Sequence, residues 1–243
     1  MIRLEEELLH EVDWRTNELS IIRTIPMLCN CTDKQIEIIE KYSVVAIYSL
    51  WEGFVVESLN MYIRELNSLK LTCGELNLNI IIHDIDIKYD LTNERKHFEK
   101  KREFVSKLYR YAKSPVVITT KIPTKSNVNC KVINKILDSF YLEKLPEKEF
   151  KGKLDKLLLV RNKVAHGEHS IPVTKDMIQE FTSTVIGAMH EVTNSIVNGF
   201  VNRTYLRKSI SSPNALESVQ PVRKPLAVTP SEDIEDVKLT PVR

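Results

Sequence analysis

The stretch "LLLVRNKVAHGEHS", Leu157 to Ser170, carries an arginine, an asparagine and a histidine on an otherwise apolar run and then meets a glycine. With Leu154, Leu157, Leu158 and Val164 on an inward face, the pattern predicts a helix over roughly Glu147 to Ala165, stopped at Gly167. Asn162 and His166 are four residues apart and share a face at 3.6 residues per turn, and Arg161 is long enough to reach round to them. The three polar heads can therefore converge. The last turn of a helix holds unpaired carbonyls and the negative end of the dipole, which favour positive charge. A charged imidazole beside a guanidinium is a local binding site for phosphate. The alternative is that Arg161 and Lys163 are ordinary basic residues near a helix end and His166 a cap residue with no chemical task.

Outward from this stretch, the periodicity predicts more helices. Thr174 caps one that extends to about Leu206, with Ile178, Phe181, Val185, Met189, Val192, Ile196 and Phe200 on one stripe. Leu4, Leu8, Val12, Leu19 and Ile22 mark a first helix from about Ile2 to Ile25, ended by Pro26. "TDKQ" fits a capping box, with Thr32 and Gln35, that opens a long second helix to about Leu69. A shorter core helix begins near "KSNVN", with Ser126 or Asn127 as its N-cap, and presents Val132, Ile133, Ile136, Leu137 and Phe140. Residues 72–125 read as an inserted lobe. "LNLNIII" and "VVITTKI" have β-branched, partly alternating patterns that suggest short strands, and "NERKHFEKKREFVSKLYRYAK" between them reads as helix. The fold class is thus mainly α, an up-and-down helical bundle over residues 1–206 with an insert at about 72–125. Residues 207–243 hold Pro213, Pro221, Pro225, Pro230 and Pro241 and an acidic cluster from Glu232 to Asp236, and are expected to be a disordered tail.

The formal charge of the 243-residue chain is only +2, so attraction to a polyanion must come from local clusters. Cys29, Cys31, Cys73 and Cys130 lack the paired spacing of a zinc ribbon or a disulfide scaffold, and no metal cluster is expected. The acidic start "MIRLEEELLHEVDW" differs from a secretion signal, and Val44–Val56 is too short for a bilayer span, so a cytoplasmic location and no membrane partner are expected.

Further candidates lie outside the central stretch. Glu52 is the one charge in that apolar run, so its carboxylate must be solvated, paired or functional, and pairing with Arg161 or His166 is expected. Gly53 beside it allows another helix to come close. Between Glu94 and Lys113 cations are interleaved with aromatics, which suits single-stranded RNA, and Lys100, Lys101, Arg102, Lys107 and Arg110 are the candidate contacts. An amphipathic helix with a solvated basic face gives the same pattern. Lys121, Lys125, Lys131 and Lys135 extend the basic surface, whereas His83, His97 and His169 have no ligand-like spacing and read as structural or exposed.

"RNKVAHG" resembles the R-N-x-x-A-H-G form of the RxxxxH signature of HEPN (higher eukaryotes and prokaryotes nucleotide-binding) domains. "AIYSLWEGFVVESLNMYI" is similar to an early Y-x-x-W-E-G-F helix of that family, and "TKSNVNCKVINKIL" to its SNL-N-x-x-V-L-x-x-I-L segment. The order and separation of the three blocks resemble the MAE-type HEPN-like nucleases over about Ile2 to Leu206. The resemblance implies a metal-independent endoribonuclease with no cofactor, in which two copies of the chain meet to form one composite site. Arg161 would neutralise the scissile phosphate and His166 would move the proton of the 2′-hydroxyl or the leaving oxygen. Asn162 would orient the imidazole or bind an oxygen, with Glu52 in support. The products would be 2′,3′-cyclic phosphate and 5′-hydroxyl ends. The role implied is antiphage defence or toxin-type growth inhibition, with an antitoxin or defence-system protein as a further partner. The alternative is a catalytically silent HEPN domain that binds RNA, nucleotide or protein.

Overall fold

The computed structural model describes residues 3–88, 97–111, 114–168 and 171–207. Among them are seven helices: α1 (Arg3–Leu28), α2 (Asp33–Ser68), α3 (Leu78–Lys88), α4 (His97–Tyr111), α5 (Cys130–Ser139), α6 (Glu147–Ala165) and α7 (Lys175–Val201). The expected tail lies, from residue 208 onward, outside the described residues.

The framework is α1, α2, α6 and α7, packed on one another, with α5 laid against α6 and α3 against α5. At 36 residues α2 is the longest, about 54 Å at 1.5 Å per residue. It touches α1, α6 and α7, which is why its middle is apolar all round. Trp51, Phe54, Leu59, Tyr62 and Ile63 of α2 meet Phe181, Val185, Met189 and Ile196 of α7 in a core where all are fully buried. The start of α2 is fixed by the expected box: Gln35 N–H donates to Thr32 Oγ1 at 3.4 Å and Thr32 N–H to Gln35 Oε1 at 2.8 Å.

Three boundaries differ from the sequence expectation. α1 runs past Pro26 to Leu28, because a proline in the last turn removes a single ladder bond and Cys29 N–H still reaches the Ile25 carbonyl at 3.1 Å. The N-cap of α5 is Asn129, not Ser126 or Asn127; its side chain accepts from Val132 N–H at 3.0 Å. α7 ends at Val201, several residues short of Leu206, and the chain then turns through Arg203 at φ 53°.

The expected strands of the 72–125 region are absent among the described residues, where the one β-type contact is a bridge between Leu76 and Leu206. "LNLNIII" leads into α3, which buries Ile80, Ile81, His83 and Asp84 on one side. "VVITTKI" is extended and does alternate, with Val116, Ile118 and Ile122 buried, but side chains take the place of a neighbouring strand. Asn67 donates to the Ile118 carbonyl at 2.9 Å and accepts its N–H at 2.8 Å, while Asp84 accepts Thr119 N–H at 2.8 Å. An amide and a carboxylate therefore satisfy the backbone that a sheet would have satisfied. α4 is helical as expected.

Candidate RNA-cleaving site

α6 spans the residues the sequence predicts, and its end is a Schellman motif. Gly167 N–H donates to the Val164 carbonyl and Glu168 N–H to the Lys163 carbonyl, both at 3.0 Å, with Gly167 at φ +79°. The left-handed conformation explains the glycine: any side chain there is strained, even with open space around it. A long-range contact also holds this end, since Lys41 Nζ of α2 donates to the Glu168 carbonyl at 2.8 Å.

Arg161 sits half-buried one turn earlier. Its guanidinium carbon lies 3.8 Å from the centroid of the Tyr48 ring, and Nη2 donates to the Ser126 carbonyl at 2.5 Å. Tyr48 is buried, and its hydroxyl accepts Val128 N–H at 2.6 Å. One helical turn on, Trp51 Nε1 donates to the Val128 carbonyl at 2.9 Å. Two α2 side chains thus clamp both backbone groups of Val128, and the same segment supplies the carbonyl that holds Arg161. Lys125 and Ser126 both adopt positive φ, 51° and 54°, a costly conformation for residues other than glycine that the surrounding bonds maintain. Burial raises the Tyr48 pKa, and the Glu52 carboxylate raises it further against the lowering effects of the Val128 bond and Arg161.

His166 follows α6 directly and is exposed. The structure therefore brings Arg161, Asn162 and His166 to one end of one helix, but it gives them unequal support. Asn162 makes no side-chain hydrogen bond among the described residues. Glu52 lies one turn from Tyr48 on α2 and is half-buried, yet within the single chain it makes no ion pair with Arg161 or His166. Gly53 does admit a neighbour: a Cβ there would lie 3.7 Å from Nη2 of Arg15 on α1.

On α4, Lys101 and Arg102 are exposed, as are Phe98 and Tyr109, at 78% and 73%. These two aromatics are not in the core; the side chains of Phe104 and Tyr111 lie outside the described set. The side chains of Lys100, Lys107 and Arg110 lie outside the described set, as do that of His97 and residue His169. His83 is buried. The residues that sequence reasoning missed are Tyr48, Trp51, the Ser126 carbonyl and Lys41; the signal for the first two was their place in the Y-x-x-W block.

A helical bundle with an Arg–Asn–His constellation at the end of a late helix, braced by an early Tyr–Trp pair, defines the class. A family model described as HEPN_MAE_28990-like HEPN matches residues 4–205, and the chain belongs to that family. HEPN domains are generally of the RNase type and often act as dimers on RNA, so membership carries a nuclease-like or RNA-related role. No curated protein and no solved structure matches the chain significantly. Among the described residues, no helix is long and apolar enough to cross a membrane.

Proposed function

We propose that the protein is a metal-independent endoribonuclease whose site is completed when two copies bring their α6 ends together. The observation that carries this reading is the construction around Arg161: a cation held half-buried on an aromatic face by a strained turn, beside an exposed imidazole. A guanidinium fixed on one face retains N–H donors for phosphate oxygens, and pre-positioned charge stabilises the extra charge that builds on phosphorus.

The reaction is an internal transfer. The 2′-oxygen bonds to phosphorus, the 5′-oxygen leaves, and no water is consumed, which gives a 2′,3′-cyclic phosphate and a 5′-hydroxyl. One imidazole takes the proton from the 2′-hydroxyl and another gives one to the leaving oxygen. Among the described residues a single chain supplies one histidine at this place, so two chains are assigned the two roles. Asn162 is assigned to a phosphate oxygen or to the partner imidazole, and Glu52 to supporting the Tyr48–Arg161 side. Lys100, Lys101, Arg102, Lys107 and Arg110, with Phe98 and Tyr109, are assigned to the flanking RNA strand.

The biological role proposed is growth inhibition or antiphage defence, because an RNase acting on cellular RNA halts growth and requires restraint by a partner protein. Induced expression should arrest cells with wild type and not with His166→Ala. The direct test is incubation of total RNA with purified wild type and His166→Ala in chelator. Chelator-resistant cleavage lost in the variant supports the reading. Binding without products from either protein moves the assignment to a silent RNA-binding domain, a reading favoured by the bond that ties Arg161 to its own chain.

A further inference from the structure

A cavity of about 620 Å³ opens between α3, the segment around Pro123–Lys125 and α5, within the usual size range of small-ligand sites. Its walls include the aliphatic side chains of Ile82, Val132 and Ile136. His83 also lines it and is 6% exposed. The Ser139 hydroxyl spends its one hydrogen on the Ile136 carbonyl at 2.7 Å, so at the 3.3 Å contact the His83 Nδ1 must be the donor. Nε2 is then a bare acceptor, buried and without a partner among the described residues. Burial lowers the His83 pKa, against the raising effect of Asp84 and Asp86, and keeps the ring neutral. Asp86, three residues on along α3, is a second lining acceptor with no hydrogen bond or ion pair among the described residues.

Lys125 and Lys135 also line it, as do Asn79, Thr124 and Asp138, whose carboxylate is paired with Lys144 at 2.8 Å, which puts cations beside an apolar slot with acceptors in its lining. Lys125 is followed at once by Ser126, whose carbonyl holds Arg161. Consecutive residues are 3.8 Å apart along the chain, so one turn serves both the cavity wall and the arginine.

We propose that this cavity takes a nucleobase with a neighbouring phosphate, guanine in preference to the others. Guanine offers N1–H and N2–H₂ side by side to acceptors, its flat faces suit the aliphatic walls, and its phosphate meets Lys125 or Lys135. The inference rests on the RNA-cleaving reading for its context, and it makes the cavity the determinant of which nucleotide lies next to the cut. A free guanine nucleotide has the same chemistry as a guanosine within a strand, and the experiment separates the two.

The test is fluorescence anisotropy with full-length protein carrying His166→Ala and labelled single-stranded RNAs that differ only in the presence of guanosine, inosine or another base at one position. The guanosine oligomer should bind about tenfold tighter, as expected where a base edge is read by paired hydrogen bonds. Inosine, which lacks the N2 amino group, should lose most of that preference. Adding Ile82→Trp, which fills the slot from a side chain 54% exposed, or His83→Phe should bring all oligomers within about twofold of one another, with circular dichroism confirming the fold. Competition by guanosine monophosphate assigns the site to free nucleotide; no competition assigns it to the RNA strand.

Equal binding of all oligomers to the parent, or a preference that survives both cavity variants, overturns the proposal. The same oligomers with His166 intact separate it from the reading it rests on. Cleavage with no base preference removes the cavity proposal alone, and base-selective binding with no products removes the nuclease reading alone.

Discussion

Arg161 and His166 stand five residues apart on one helix, and the molecule builds their surroundings in different ways. Arg161 lies in a nook made by three distant segments: the Tyr48 ring from α2, the Ser126 carbonyl from the turn before α5, and α6 itself. His166 sits at an exposed helix end made largely by local sequence, the Schellman turn at Gly167, with Lys41 as the one long-range hydrogen bond to it among the described residues. The nook gives the guanidinium a fixed place before any substrate arrives, while the exposed end leaves the imidazole open to a substrate and a second chain. Loss of the arginine should therefore cost structure as well as chemistry, and loss of the histidine should cost chemistry alone.

The largest effect expected is on the exposed side. His166→Ala should lower cleavage by about 10²–10⁴-fold, the usual weight of a proton-transfer group, and leave the thermal midpoint nearly unchanged, because exposed side chains away from special features alter stability by under about 0.5 kcal/mol. Calorimetry beside the cleavage assay checks both halves. Arg161→Ala should also abolish cleavage but should destabilise the protein by roughly 0.5–1.5 kcal/mol, since it removes the bond to the Ser126 carbonyl and bares the Tyr48 ring. An Arg161→Ala protein as stable as wild type would break the comparison.

Tyr48→Phe sharpens it. The aromatic face under Arg161 remains, but Val128 N–H loses its acceptor, for an expected loss of about 1–3 kcal/mol in urea denaturation and a modest fall in cleavage. Gly167→Ala is smaller still, about 1 kcal/mol, from strain at positive φ alone. The smallest effect concerns pH. The His83 pKa is lowered in the folded protein, so the unfolded chain binds more protons below its own value near 6.5, and stability falls as pH drops through that window. The slope from this group is at most about 1.4 kcal/mol per pH unit, and His83→Phe should remove that increment from a series of melts between pH 7 and pH 5.

The same contrast explains what was legible in the sequence. α6 and its stop were readable to the residue because apolar periodicity and a left-handed glycine are local signals, and the Thr32–Gln35 box was readable for the same reason. The nook was not. Nothing near Tyr48 says that its ring will lie beneath a guanidinium more than a hundred residues away; only its place in a family-like block marks it. "LNLNIII" misled because a short β-branched run suits a strand or a buried helix face equally well, and here α5 beside it favours the helix. In "VVITTKI" the alternation was real, but Asn67 and Asp84 supply the hydrogen bonds that a partner strand would have supplied. Glu52 shows a limit of another kind: its place near Tyr48 was foreseeable, and its pairing with Arg161 or His166 is not made within one chain.

The central claim is that these two unlike ends form one RNA-cleaving site. The most direct measurement is end-group analysis of a defined single-stranded RNA incubated with the protein in chelator. Fragments ending in 2′,3′-cyclic phosphate with 5′-hydroxyl partners are expected, produced by wild type and absent with His166→Ala. Fragments with 3′-hydroxyl and 5′-phosphate ends, or equal cleavage by His166→Ala, would contradict it.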